Sequence, residues 1–148
     1  MVTSLAVNKR ASFDYEILET FEAGLQLKGY EVKAIKTGHI SLKGSFVTAK
    51  STELYLTNAL IPLYQHTANI PAYEPTNSRK LLLHRKEISF LIGKIHTEGL
   101  TLIPLSVYNK KGKIKLKFAL ARGKKKYDKR QAIKQREAKR RILSTLRA

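Results

Sequence analysis

The sequence predicts a mostly β fold: an antiparallel barrel with two short helices and a basic C-terminal tail. Three observations predict it. Several short runs alternate apolar and polar residues with a period of two, the pattern of a strand with one buried face. Gly, Asn and Pro clusters separate those runs. Positive charge is concentrated past residue 121, where the alternation stops.

From the N-terminus, Phe13, Tyr15, Ile17 and Phe21 alternate with Asp14, Glu16 and Thr20, which predicts a strand. Leu18 interrupts the pattern, and Gly24 marks a bend before Leu25 and Leu27. A short helix is expected over Tyr30 to Lys36, stopped by Gly38. Two strands, Ser45 to Ala49 and Leu54 to Ala59, flank the charged stretch Lys50-Ser51-Thr52-Glu53. Pro62, Pro71 and Pro75 make the segment from Ile61 to Arg79 an irregular crossover, and long ordered loops are often functional. Ile88, Leu91, Ile92 and Ile95 fall at i, i+3, i+4 and i+7, the apolar stripe of a helix that ends at Gly99. His84, three residues before Glu87, resembles a capping arrangement, although His is a poor cap.

The clearest strands come last. Thr101 to Tyr108 places Ile103, Leu105 and Val107 on one face, and Pro104 within it calls for an edge position or a bulge. After the turn Asn109-Lys110-Lys111-Gly112, the run Lys113 to Leu120 points Ile114, Leu116, Phe118 and Leu120 to a core and its lysines to water. The two runs form an antiparallel hairpin. Five or six short strands, two helices and one long connection fit best a Greek-key barrel of the oligonucleotide-binding (OB) type.

The chain has 148 residues, enough for one domain with an appendage. Its 29 Lys and Arg against 11 Asp and Glu give a net +18. Residues 122–148 hold twelve of the bases and two of the acids, a net +10, leaving +8 on residues 1–121. A boundary follows near Ala121/Arg122: a folded domain before it, and after it a tail whose self-repulsion opposes folding alone. Such charge calls for a polyanion, by default nucleic acid, with an acidic membrane surface as the alternative. Cys is absent, which excludes disulfides, cysteine nucleophiles and Cys-ligated metal. The longest apolar stretches are too short to span a bilayer, and Met1 to Arg10 has no signal-peptide core, so a cytoplasmic protein is expected.

The sequence offers little for catalysis. His39, His66, His84 and His96 are scattered, and no phosphate-binding glycine loop or nucleophile elbow occurs. No carboxylate cluster suggests magnesium. A non-enzyme without metal or cofactor is expected. Tyr64, Tyr73, Tyr108 and Tyr127 lie among cations and could stack on bases. The alternative, core packing, is preferred for Phe13, Phe21 and Phe118, and exposure for Tyr127. In the tail, Asp128 could cap a helix with Gln131 at the box position. That helix has little to pack on when free and would form on binding.

Five motifs occur in order: Asn8-Lys9-Arg10-Ala11, Phe21-Glu22-Ala23-Gly24, Gly29-Tyr30-Glu31-Val32-Lys33, Arg79-Lys80-Leu81-Leu82-Leu83-His84, and Ala121 through Arg130. The series resembles the SsrA-binding protein (small protein B, SmpB) family over nearly the whole chain. The resemblance implies an OB-type barrel that binds the tRNA-like domain of transfer-messenger RNA. It also implies a monomer that enters stalled ribosomes with that RNA, where barrel and RNA together look like a tRNA. The tail would occupy the decoding centre and empty mRNA channel of the small subunit.

By the same resemblance, Asn8, Lys9, Arg10, Glu22, Lys80, Leu82 and His84 would face transfer-messenger RNA. Glu22 could accept from a base amino group, which a lysine cannot do; alternatively it pairs with a nearby lysine. Leu82 could pack on an exposed base, while core packing remains open for Leu81 and Leu83. Arg122, Gly123, Lys124, Lys125, Lys126, Tyr127, Asp128, Lys129 and Arg130 match the ribosome-acting segment, with Tyr127 suited to stacking on an rRNA base. Compared with longer members, the leader before Asn8 is short and the chain ends soon after Leu146, so fewer contacts deep in the channel are expected. Charge alone supports equally a general ribosomal or rRNA-binding OB protein. A nuclease on this fold would need a carboxylate and metal cluster that the sequence lacks.

Overall fold

The computed structural model describes residues 2–64, 73–123 and 134–141. Seven strands run in the order β1(Val2–Val7), β2(Tyr15–Leu25), β3(Phe46–Lys50), β4(Glu53–Thr57), β5(Arg79–Leu82), β6(Thr101–Lys110) and β7(Lys113–Gly123). Three helices lie among them: α1(Ala11–Asp14), α2(Gly29–Lys36) and α3(Arg85–Glu98). Residues 134–141 form a further, exposed helix. The sheet order is β1-β6-β3-β4-β5-β2-β7, and β7 pairs back onto β6. Six strands therefore close a ring, with β1 added outside on β6, and every pairing is antiparallel. Closure removes the exposed edges an open sheet would leave.

The expected hairpin is β6–β7. Lys110 pairs with Lys113, and Lys111 and Gly112 both take left-handed φ, 51° and 79°. That is the two-residue turn whose twist matches the strands. Ile114, Leu116, Phe118 and Leu120 are buried in the main core, as the alternation predicts. Gly38 (φ 83°) follows α2, and Gly99 (φ 63°) ends α3 in the left-handed conformation that glycine adopts without strain. Ile88 and Leu91 are buried and Ile92 and Ile95 pack beside them.

Bulges account for the irregular spacing elsewhere. The β6–β7 register shifts between Pro104 and Ser106. Pro104 thus sits at a bulge inside a strand that pairs with β1, β3 and β7, rather than at an edge. The bulge also reverses which residues face the core. Leu102 precedes it and Val107 follows it, and both join the main cluster. Ile103 joins a second, smaller cluster with Ala11, Ala119 and Ala121. The expectation that Ile103, Leu105 and Val107 share one face is corrected by this one-residue slip. Leu18 lies where β2 shifts register between Ile17 and Glu19, and it is 42% exposed.

Other expectations also change. Residues 11–14 form α1, so Phe13 is not in a strand; its half-buried ring lies 5.1 Å from the Arg10 guanidinium rather than in either core cluster. Phe21 and Phe118 do pack together, with ring centroids 5.7 Å apart. Gly24 marks no bend: β2 continues to Leu25, and Gly24 pairs with both Leu82 and Lys115. Two strands, β1 and β5, were not expected. β7 runs to Gly123, so Arg122 and Gly123, grouped with the tail by charge, pair with Glu16 and Tyr15 of β2.

Candidate nucleic-acid interface

β5 places two of the expected binding residues, Lys80 and Leu82, and leads into a third, His84. Its inward positions are Arg79 and Leu81, both buried; its outward positions are Lys80 and Leu82. Burying Arg79 requires charge and hydrogen-bond partners. Its Nη2 lies 2.8 Å from Glu31 Oε2 and its Nε donates to the same oxygen at 2.9 Å. Nη1 donates to Ala59 O at 2.8 Å and Nη2 to Tyr73 Oη at 3.3 Å. The other Glu31 oxygen accepts from Lys28 N at the start of α2. Tyr73 in turn donates to Ile61 O, and burial raises the pKa of its hydroxyl. One buried ion pair thus fastens β5, α2 and both ends of the crossover.

Outward from that pair, Glu22, Lys80, Leu82 and His84 line one groove of about 480 Å³, together with Glu53, Glu87 and Lys115. Leu82 is 52% exposed, while Leu81 is fully buried and Leu83 packs against the core. Gly24 lies directly against Leu82: a Cβ on Gly24 would lie 3.4 Å from Leu82 Cβ, in close contact. Lys80 Nζ is 3.7 Å from Glu53 Oε1. His84 occupies the N-cap position of α3, but its side chain makes no capping bond, and it is exposed along the groove.

Glu22 has local partners. Tyr108 Oη donates to Glu22 Oε2, and Lys110 Nζ lies 3.4 Å from the same oxygen. The Tyr108 hydrogen bond is the main cause holding the Glu22 carboxyl below its ordinary pKa, with Lys110 adding to it and partial burial opposing it. Burial, then the bond to Glu22, raises the pKa of the Tyr108 hydroxyl. Glu22 thus pairs with a nearby lysine, with a tyrosine added. Oε1 receives only a long contact, 3.5 Å from Lys110 Nζ. By these contacts it is the less engaged acceptor of the two.

Asn8, Lys9 and Arg10 are not part of this groove. They line a second cleft of about 880 Å³ with Ala11, Asp14, residues 40–48 and Ile103. Both polar atoms of the Asn8 side-chain amide are engaged. Nδ2 donates to Pro104 O at 2.9 Å and Oδ1 accepts from Arg10 N at 3.4 Å. Asn8 N also donates to Leu105 O at 2.7 Å. Asn8 therefore fixes the strap between β1 and α1 onto the β6 bulge, and Lys9 and Arg10 are exposed beyond it. Arg10 Nε is 3.6 Å from Asp14 Oδ2.

Of the tail residues, Arg122 and Gly123 end β7, and Arg122 Nη1 lies 3.8 Å from Glu16 Oε2 on the surface. Lys124, Lys125, Lys126, Tyr127, Asp128, Lys129 and Arg130 lie outside the described residues, as does the proposed cap at Asp128. The helix over residues 134–141 brings the Arg136 guanidinium to 6.0 Å from the Phe13 ring. Of the tyrosines that could stack on bases, Tyr108 is buried and bonds Glu22, while Tyr64 and Tyr73 are partly buried, Tyr64 against the core and Tyr73 bonded to Ile61 and Arg79. The roles of Tyr108, Lys110 and Lys115 have no local sequence signal, because Tyr108 meets Glu22 across 86 positions. Among the described residues no three His, Asp or Glu side chains gather as a metal site, and no helix is long and apolar enough to cross a membrane.

A closed antiparallel barrel with cations in two surface clefts defines the class: a small OB-type barrel of the kind that binds oligonucleotides. The family model described as SmpB protein matches residues 5–148. The chain is 49% identical to the SsrA-binding protein of Thermosipho africanus over 139 residues, 93% of each chain. It is 48% identical to that of Mycobacterium leprae, covering 96% of this chain and 88% of the relative. A solved structure of tmRNA-SmpB in the bacterial ribosome superposes with a TM-score of 0.66 at 44% identity, over 86% of this chain and 92% of the other. The chain belongs to the SmpB family.

Proposed function

We propose that this chain is the RNA-binding factor of trans-translation. It binds the tRNA-like domain of transfer-messenger RNA and accompanies it into stalled ribosomes, where the nascent chain is tagged and released. The observation that carries this reading is the family match over residues 5–148, together with the OB-like barrel it shares with the ribosome-bound relative. The groove of Glu22, Lys80, Leu82 and His84 is the RNA-selective surface: an acceptor, a cation and an exposed apolar side chain side by side can read a base edge, hold phosphate and cover a base face.

The tail from residue 122 on is a separate ribosome-directed surface, entering the decoding centre and mRNA channel of the small subunit. Its net +10 suits a path walled by phosphate. The chain works as a binding factor in the cytoplasm and not as a catalyst.

The test compares binding to the tRNA-like domain with binding to an unrelated hairpin of equal length across several salt concentrations. Phosphate contacts alone give steep salt loss without selectivity. Selective binding at moderate salt is expected; equal affinities would instead support a general rRNA-binding barrel. Removing residues 124–148, beyond the end of β7, should leave selective binding largely intact and abolish tagging on stalled ribosomes.

A further inference from the structure

The cleft beside Asn8 is larger than the groove and is built differently. One wall is the strap that Asn8 pins to the β6 bulge. The other is the turn Ser41–Ser45, which is held at every step. Ser41 and Leu60 exchange two backbone hydrogen bonds, of 2.9 and 3.0 Å. Lys43 N donates to Ser41 Oγ, and Ser45 N donates to Leu42 O. Gly44 takes φ 75°, and its carbonyl accepts from Asn58 Nδ2 at 3.0 Å. Both walls are thus formed before any ligand arrives, the condition under which a polar site binds without ordering costs.

What lines the cleft is specific in chemistry. Lys9 and Lys43 are exposed on facing walls, and neither has an ion-pair partner among the described residues. Arg10 is partly balanced by Asp14. Phe46, the first residue of β3, is 44% exposed, although its neighbour Val47 is buried in the core. An aromatic ring left outside at the mouth of a cationic cleft suits a flat, anionic ligand. The volume, about 880 Å³, falls in the range of sites that enclose a small molecule.

We propose that this cleft takes one unstacked nucleotide of the tRNA-like RNA, with its base against Phe46 and its phosphate held between Lys9 and Lys43. The assignment rests on the RNA-binding function proposed above. It adds a second contact that Glu22 and Leu82 do not make, and it gives Asn8 a positioning role in place of direct RNA contact. An aromatic face beside lysines is the arrangement by which barrels of this class hold single-stranded bases with little sequence preference.

The test uses the full-length chain carrying Phe46→Ala, Phe46→Leu or Lys43→Ala. Each is checked by thermal melting and titrated with the tRNA-like domain and, separately, with small ribosomal subunits. Phe46→Leu keeps apolar cover without a ring, so it still reports on stacking if the alanine variant folds poorly. The expected result is a loss of affinity for the tRNA-like domain of about tenfold for either Phe46 variant. Lys43→Ala should weaken binding and lower the salt slope by about one phosphate. An abasic substitution at one position of the RNA should reproduce the Phe46 loss and remove the difference between variant and parent. Parent-like affinity in all three variants, while the parent still prefers the tRNA-like domain, overturns this inference and leaves the function proposed above standing. Loss confined to the small subunit overturns the assignment to the tRNA-like RNA. A parent without selectivity overturns both.

Discussion

The groove on β2 and β5 and the cleft beside Asn8 belong to one barrel but obtain their shape by opposite means. The groove is assembled from side chains far apart in sequence. Glu22 depends on Tyr108 and Lys110 of β6, and Lys80 on Glu53 of β4. The whole strand β5 depends on the buried pair of Arg79 with Glu31. Its charges are mixed, with three acids among its lining residues. The cleft is held mainly by backbone hydrogen bonds and short polar side chains, and its exposed charges are mostly cationic. Mixed charge with directed hydrogen bonding discriminates between ligands, whereas unpaired cations raise affinity for any polyanion. The groove should therefore set selectivity and the cleft should set much of the affinity.

The harshest way to break the contrast is to remove the pair beneath the groove. Glu31→Ala leaves Arg79 buried without its counter-ion and should cost about 3–5 kcal/mol in urea unfolding. At denaturant-free conditions, any folded fraction should lose groove-dependent selectivity first, because β5 carries Lys80 and Leu82. Destabilisation below about 1 kcal/mol would show that Glu31 and Arg79 are not paired as described.

Glu22 provides a subtler test. In Glu22→Gln the carboxylate is lost, and preference for the tRNA-like domain should fall by about tenfold with little change in salt slope, since no phosphate contact is removed. Tyr108→Phe keeps the ring and deletes the donor that lowers the Glu22 pKa. A carboxyl with a depressed pKa contributes its stabilisation above the ordinary value of 4.5 and loses it as pH falls through the lower folded value. Without Tyr108 that loss should begin at a higher pH, which carbon-detected NMR titration of the Glu22 carboxyl would read directly. The smallest expected effect belongs to Leu82→Ala. Leu82 is half exposed, so the fold should lose about 1 kcal/mol or less, while RNA affinity should drop severalfold if the side chain covers a base. An affinity loss fully accounted for by instability would remove Leu82 from the interface.

How much of this could be read in advance varies with how local the cause is. The β6–β7 hairpin was legible because one alternating run, a turn able to hold two left-handed residues, and a second run lie consecutively in the chain. The stop at Gly99 was legible for the same reason. β5 was hidden because its pattern is inverted: an arginine points inward and a leucine outward. Only the presence of Glu31, forty-eight residues earlier, makes that arrangement tolerable. Leu18 and Pro104 announced irregularity, but nothing in the sequence said that the β6 bulge would move Ile103 and Val107 into different clusters. Residues matched to the family gave the candidate sites their names, yet not their grouping: Asn8 lies with Ser41–Ser45 and apart from Glu22.

By itself, then, the sequence determined the mostly β character, the ends of α2 and α3, the division of charge between barrel and tail, and the family. The first three are properties of composition or of periodicity within about a dozen residues, which backbone geometry enforces locally, and the family is a property of the order of short motifs along the chain. Tertiary structure alone decided which carboxylate holds Arg79, which oxygen of Glu22 Tyr108 engages, and which cations share a cleft. Those depend on strand closure, which brings residues such as Asn8 and Pro104, 96 positions apart, to within a hydrogen bond. A slip of one residue at a bulge would rearrange them all without altering the local pattern that predicts the strands.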